Sequence, residues 1–250
     1  MAITDLLDHR RPLVIAHRGA SGEAPENTMA AFELALEQGA DVIEMDVHMT
    51  ADGYPVVIHD DTLERTTNGK GLVRQRTLAE LKGMDAGSWS GRQFAGQKVP
   101  TLEEVVAWAK GKVPLAIEVK NVPHRYRGIE ASVTGVLERA RAMLEHEVFS
   151  FDHVAMQRFK TREPGLLTGV CYRGDVVDHV ALAKAAGATV LHPWLYDMRS
   201  EAIRDAHAAG LLVAPWVADT PEDIRALAAL GVDGITTNFP RRAREIIGRA

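Results

Sequence analysis

The feature that most constrains this chain is a rhythm: eight short apolar runs separated by segments of helical period. The runs are Leu13–Ala16, Val42–His48, Leu115–Val119, Val148–Phe151, Leu166–Cys171, Thr189–His192, Leu211–Val217 and Asp233–Thr236. Runs this short, alternating with helices, predict strands joined by crossovers and hence a parallel sheet. The segment boundaries agree. Met29, Phe32 and Leu36 share one face of a helix starting near Thr28. Thr101-Leu-Glu-Glu104 has capping-box spacing. Thr220-Pro221 reads as an N-cap followed by proline at the first helical position. Gly39, Gly111, Gly187, Gly210 and Gly231 each stand between a helical segment and the next run, as helix-ending glycines do. Eight such units in 250 residues predict a closed (β/α)8 barrel of the TIM-barrel kind. A doubly wound open sheet is the alternative, but its glycine-rich nucleotide loop is met only weakly, by Gly19-Ala-Ser-Gly22.

One segment departs from the rhythm. Residues from about 49 to 100 separate the second strand from the Thr101 helix and are rich in Gly, Thr, Asp and Arg. A stretch this long inside a compact domain is uncommon and usually functional. The expectation is therefore one catalytic barrel domain over 1–250, with 49–100 inserted in the second strand-to-helix loop on the catalytic face. The alternative is a mobile surface excursion. The net charge of −5 argues against nucleic acid as a partner, which needs a basic face. With the single cysteine Cys171 there is no intrachain disulfide. Residues 1–12 lack the apolar core of a signal peptide, and no apolar run approaches the roughly 20 residues of a membrane span. The chain is expected in the cytoplasm, without stable membrane association. Its oligomeric state is not legible in the sequence.

Candidate chemistry gathers at the ends of the first strands. Side chains two apart on a strand share a face, so Glu44 pairs with Asp46 and Glu118 with Lys120. If the second and third predicted strands are neighbours, Glu44, Asp46 and Glu118 converge in the barrel mouth. Three converging carboxylates repel unless a cation compensates them, and a hard divalent ion, Mg²⁺ or Ca²⁺, takes oxygen ligands of this kind. The competing reading pairs the carboxylates with Arg18 and Lys120 and needs no metal. His17 follows the first strand, and His59 follows the extended run Pro55-Val-Val-Ile. Two histidines beside such a cluster suit a general acid and a general base. Arg18 and Lys120 are either phosphate contacts or salt-bridge partners. Trp216, ending the seventh run, walls a pocket or simply fills core. His48 shares the face of Glu44 and Asp46 and suits a supporting position; His192 suits a pocket wall. His9, His124, His146, His153, His179 and His207 are given no role.

Taken together, the motifs resemble those of the glycerophosphodiester phosphodiesterase family. They are His17-Arg18-Gly19, Pro25-Glu26-Asn27-Thr28, Glu44-Met-Asp46-Val, Thr50-Ala-Asp52-Gly53, His59-Asp60, Leu63-Glu-Arg65-Thr66-Thr67, Glu118-Val-Lys120, Ser150-Phe-Asp152, Trp216-Val and Gly231-Val-Asp-Gly-Ile-Thr-Thr. They run in family order through almost the whole chain, and the family's fold is a (β/α)8 barrel with a small insertion after the second strand. The resemblance, to the cytoplasmic bacterial type, implies Glu44, Asp46 and Glu118 as ligands of one divalent metal. It implies His17 and His59 as the acid/base pair, and Arg18 and Lys120 as phosphate contacts. The implied reaction is hydrolysis of a glycerophosphodiester to sn-glycerol 3-phosphate and an alcohol. Attack by the glycerol 2-hydroxyl through a cyclic phosphate is the implied route, with direct attack by water left open. Two departures stand out. Val-Ala-Asp219 follows Trp216 where the family often shows Thr-Val-Asn, and Thr237-Asn238-Phe239-Pro240 replaces a frequent Thr-Asp-aromatic-Pro. Neither change is expected to touch a proposed ligand or acid/base residue.

Other functions remain in competition. A phospholipase D-like enzyme acting on lysophospholipids or sphingolipids would use the same site, and would need apolar surface beside the mouth; Leu72, Trp89 and Phe94 are the large apolar candidates in 49–100. An amidohydrolase would place His-x-His on the first strand, where this chain has His17-Arg18-Gly19. A non-catalytic relative would be expected to have lost a ligand or a histidine, and none is missing.

Overall fold

The computed structural model describes residues 2–7 and 11–248; His9 lies outside the described residues. Among the described residues the strands are β1 Leu13–Ala16, β2 Val42–Met49, β3 Pro55–Val57, β4 Leu115–Val119, β5 Glu147–Ser150, β6 Leu167–Tyr172, β7 Val190–Pro193, β8 Leu212–Val213 and β9 Gly234–Thr237. The helices are α1 Met29–Glu37, α2 Leu78–Gly83, α3 Leu102–Ala109, α4 Ile129–Ala140, α5 His153–Arg162, α6 His179–Ala186, α7 Ser200–Ala208, α8 Pro221–Leu230 and α9 Pro240–Ile247. Eight strands form one parallel sheet in the order β8-β7-β6-β5-β4-β2-β1-β9, and β3 pairs antiparallel with β2. The two ends of that order are drawn together. Asp233 N donates to the Val213 carbonyl at 2.9 Å, Thr236 N to the Pro215 carbonyl at 3.2 Å and Ala218 N to the Thr236 carbonyl at 2.8 Å. The result is a nearly closed (β/α)8 barrel, as the sequence rhythm predicts. The run Leu211–Val217 is shorter as a strand than expected. Pro215 has no N–H to give a ladder, so past Val213 the chain keeps only scattered bonds such as Trp216 N to the Pro193 carbonyl.

The helix signals act where the sequence places them. Thr28 caps α1 by accepting from Ala31 N, Thr101 and Glu104 form a capping box on α3, and Thr220 caps α8 with Pro221 behind it. Gly187 and Gly231 close α6 and α8 in the left-handed conformation.

Period-two alternation then sorts every barrel strand into two cores. Val14, Ile43, Met45, Leu115, Ile117 and Val119 point outward into the cluster shared with the helices. Leu13, Ile15, Val42, Ala116, Phe149, Cys171, Val190 and Ala214 point inward. Ile3, in a 3₁₀ turn ahead of β1, joins this inner cluster with Leu6 and Leu7 and covers the N-terminal end of the barrel. A third cluster lies apart from both. Val56, Ile58, Leu63, Val73, Leu81, Ala86 and Val99 pack together within the stretch between β2 and α3. That stretch therefore has a small core of its own.

Candidate active site

The site begins with a sharp turn at the end of β1. Arg18 has φ 57° and Gly19 φ 80°. A Cβ at Gly19 would lie 2.6 Å from the Ala31 carbonyl carbon, so this position needs glycine for space as well as for backbone angle. The turn aims the Arg18 backbone N–H at Glu44 Oε2, 2.7 Å away. It also swings the guanidinium between Glu26 Oε1, at 2.9 Å, and Asp46 Oδ2, at 3.2 Å. Asn27, left-handed at φ 58°, grips the same aspartate. Its Nδ2 donates to Asp46 Oδ2 at 2.8 Å, and its Oδ1 accepts from Asp46 N at 3.2 Å. Two non-glycine residues in the left-handed region within one site mark strain that its surroundings must hold in place.

The carboxylates reach the same space because β2 and β4 are neighbours in register. Asp46 pairs directly with Glu118, and Glu44 with Ala116. One oxygen each of Glu44, Asp46 and Glu118 lies within 4.8 Å of the others, and all three residues are buried. Lys120 Nζ donates to Glu118 Oε1 at 2.7 Å and ion-pairs with Asp46 Oδ1 at 3.4 Å. The salt bridges of the metal-free reading are therefore present, yet they do not exhaust the cluster. Glu44 Oε1 and Asp46 Oδ1 are buried without a hydrogen-bond partner. Burial, reinforced by Asp46 and Glu118, pushes the Glu44 carboxyl well above its ordinary range, and burial also raises Glu118. Burial acts on Asp46 too, but the Lys120 and Arg18 charges outweigh it and hold that carboxyl low. The three carboxylates outnumber the two cations, and without a further cation two of them are pressed toward their neutral forms. Oxygen-only donors with orphaned buried atoms fit a hard divalent ion.

Both histidines expected in the site line one cavity of about 230 Å³, together with Arg18, Glu44, Glu118, Lys120 and Trp216. Burial, then the Arg18 charge, hold the His17 imidazole down to about 4. Its Nδ1 lies 2.7 Å from Asn238 Oδ1. His59 enters from just beyond β3, with Nδ1 2.7 Å from Asp60 Oδ1. The Arg65 hydrogen bond, ahead of that from His59, holds Asp60 down to about 2. Arg65 also bridges back to Glu26 through contacts of 2.7 and 2.8 Å. A chain of ion pairs, Arg18–Glu26–Arg65–Asp60, thereby joins the β1 turn to the loop that carries His59.

The remaining expectations divide. His48 does not line the cavity; its Nε2 donates to the His59 carbonyl at 2.9 Å and its Nδ1 accepts from the Tyr126 hydroxyl at 2.8 Å. It supports the loop rather than facing a ligand. His192 is a wall residue, bonded to the buried Glu147 at 2.7 Å and stacked on Phe149 at 4.2 Å. Trp216 also lines the cavity, donating to the His192 carbonyl at 2.9 Å and meeting Phe151 edge-on at 5.6 Å. Leu72, Trp89 and Phe94 are not among the cavity's walls; its apolar side is Phe149, Phe151 and Trp216.

Several residues of the site carry no sequence-based role. Glu26 and Asn27 stood inside a quoted motif, which was their signal. Arg65 and Asp60 stood in motifs too, and their pairing needs the fold. Asp219 and Asn238 stand at the two departures from the family pattern, where the sequence leaves the charge around the site open. The departures meet each other, Asn238 Nδ2 donating to Asp219 Oδ2 at 2.6 Å, and Asn238 touches His17. Strand closure brings the β9 end against the β1 end, a contact invisible in local sequence.

Known proteins resemble this chain over most of its length. The family model described as glycerophosphoryl diester phosphodiesterase family matches residues 17–242. A glycerophosphodiester phosphodiesterase of Caldanaerobacter subterraneus subsp. tengcongensis is 40% identical over 231 residues, covering 92% of this chain and 95% of that protein. The glycerophosphodiester phosphodiesterase of Bacillus altitudinis is 37% identical, covering 93% and 97%. The structure of an Oleispira antarctica phosphodiesterase in complex with the product sn-glycerol-3-phosphate has a TM-score of 0.89 to this fold, at 31% identity over 99% of each chain. With a family model spanning most of its length and relatives above 30% identity, this chain belongs to the glycerophosphoryl diester phosphodiesterase family.

Proposed function

We propose that this protein is a metal-dependent phosphodiesterase that hydrolyses glycerophosphodiesters to sn-glycerol 3-phosphate and an alcohol. The observation that carries the proposal is the convergence of Glu44, Asp46 and Glu118 between Arg18 and Lys120, in a cavity also lined by His17 and His59. The names of the relatives and the product bound by the Oleispira enzyme support the same substrate class.

Glu44, Asp46 and Glu118 would hold one divalent ion, Mg²⁺ or Ca²⁺. Such an ion neutralises phosphate charge and lowers the pKa of a bound hydroxyl. Arg18 and Lys120 take the phosphate; Glu26 and Asp46 fix the direction of the Arg18 fork, and Glu118 that of the lysine. Their positive charge stabilises the charge that builds on the phosphoryl oxygens during transfer. His17 and His59 divide the proton work, one taking a proton from the nucleophile and the other giving one to the departing alcohol. Phe149, Phe151 and Trp216 form the apolar side against which substrate carbon packs. Residues 1–250 act as one catalytic domain, with 49–100 an insertion that delivers His59. Its compartment is the cytoplasm; no helix among the described residues is long and apolar enough to cross a membrane.

The deciding experiment is a coupled assay for glycerol 3-phosphate release from several glycerophosphodiesters, with metal stripped and then restored. Chelation should abolish turnover and Mg²⁺ or Ca²⁺ should return it; full turnover in stripped protein sinks the metal reading. Running lysophosphatidylcholine beside glycerophosphocholine separates this function from the lysolipid alternative.

A further inference from the structure

Asp219 follows Trp216 in the segment between β8 and α8, and three donors converge on its carboxylate. Oδ1 accepts from Asn238 N at 2.8 Å and from the Thr237 hydroxyl at 3.1 Å. Oδ2 accepts from Asn238 Nδ2 at 2.6 Å. An ionised carboxylate can only accept, so the Asn238 amide has one orientation here: NH₂ toward Asp219, oxygen toward His17. That oxygen in turn can only accept, and it lies 2.7 Å from His17 Nδ1. Nδ1 must therefore carry the imidazole proton, which leaves the lone pair of the neutral ring on Nε2. Ser21 Oγ lies 2.7 Å from the same oxygen and 2.7 Å from the His17 carbonyl. Its single proton serves one of the two, and a hydroxyl can accept as well as donate, so Ser21 fits either orientation of the amide. The decision is made by Asp219.

We infer that Asp219 is a positioning residue of the reaction: through Asn238 it fixes the His17 tautomer, so that Nε2 takes the proton from the attacking hydroxyl and His17 is the base. His59 then falls to the acid role, with its Nδ1 held on Asp60. This inference rests on the acid/base reading of His17 made above. The relay joins the segment after β8 to the end of β9 and, through it, to His17 at the end of β1. Asp219, which can only accept, dictates which way Asn238 presents its donor.

The test is Asp219→Asn. In that variant the Asn238 backbone N–H and the Thr237 hydroxyl still require an oxygen, so the new NH₂ group is left facing Asn238. Asn238 must turn its own oxygen toward it, presenting NH₂ to His17 and moving the imidazole proton to Nε2. A wrong catalytic tautomer costs up to about 10⁴ in turnover. The expected result is a fall in kcat of about 10²-fold or more with KM nearly unchanged. In ¹⁵N-histidine NMR spectra, the His17 ring should change from the Nδ1-protonated to the Nε2-protonated pattern. The exchange Asp219→Asn with Asn238→Asp restores a pure acceptor beside His17 and should return most of the lost kcat. Unchanged kcat in D219N, or a double exchange no better than D219N, overturns the inference. An Nε2-protonated His17 in the unmutated enzyme overturns it without any variant. Near-full turnover in His17→Ala would instead remove the acid/base reading, while the tautomer in D219N still reports whether Asp219 controls the ring.

Discussion

At the N-terminal end of the barrel interior, Ile3, Leu13, Val42 and Val190 pack as hydrocarbon. A few residues further along the same strands or just past them, the inward positions are His17, Glu44, Asp46 and Glu118. Both sets point inward by the same period-two alternation. The apolar end gains roughly 1.5–3 kcal/mol for each large aliphatic side chain it buries. The charged end gathers three buried carboxylates and two strained turns, and it holds together only because Arg18, Lys120, Asn27 and the strand ladders fix it in place. One end makes the barrel stable, and that surplus lets the other end be organised for chemistry.

The sharpest way to test the contrast is to change one end and read both properties. His17→Ala or His59→Ala should lower turnover by about 10²–10⁴-fold, the range of a general acid/base residue, without lowering the melting temperature. Steady-state kinetics beside a thermal melt would check it, and a variant that loses stability in step with activity would blur the contrast. Leu13→Ala should do the reverse. It should cost about 2–5 kcal/mol in urea unfolding, while turnover per folded molecule stays near that of the parent.

Acid should strike both ends. Burial holds His17, His48 and His146 each down to about 4. The unfolded chain protonates these rings near their ordinary value of about 6.5 while the folded one leaves them neutral. Stability is therefore full above about pH 6.5 and is lost as pH falls toward 4, by up to about 3 kcal/mol for each ring. His146, which accepts from Leu115 N at the start of β4, belongs to the stable end. His146→Gln should flatten the decline measured by unfolding at stepped pH without touching kcat. The smallest effect is expected at the carboxylates. With its partners pressing it toward the protonated form, Glu44→Gln should raise the stability of metal-stripped protein by ~1 kcal/mol while weakening its binding of Mg²⁺ or Ca²⁺ in calorimetry. A stability loss in the stripped variant would show that Glu44 is worth more to the fold than to the metal.

Much of this was legible in the chain. The apolar runs place the barrel strands to within a residue or two, apart from Leu211–Val217, where Pro215 cuts the ladder short. Glu44, Glu118, His17 and His59 line one cavity, and Asp46 lies beside the two glutamates. Less was legible where a contact joins distant segments. Ile3 was read only as part of an ordinary N-terminus, yet it covers the barrel floor. Glu26 and Arg65 form an ion pair although 39 residues separate them. Asn238 touches His17 across 221 residues, a contact that nothing local in the sequence marks.

The sequence alone determined what depends on neighbours along the chain. Helix caps, glycine stops and the alternation that turns Glu44 and Asp46 inward arise from backbone preferences within a few residues. Tertiary structure decided what depends on register and closure. Asp46 stands beside Glu118 because β2 and β4 pair in that one register. Asn238 reaches His17, and Asp219 reaches Asn238, because the closing barrel sets β9 against β1. A local pattern states which way a side chain faces; only the closed barrel states what it meets there.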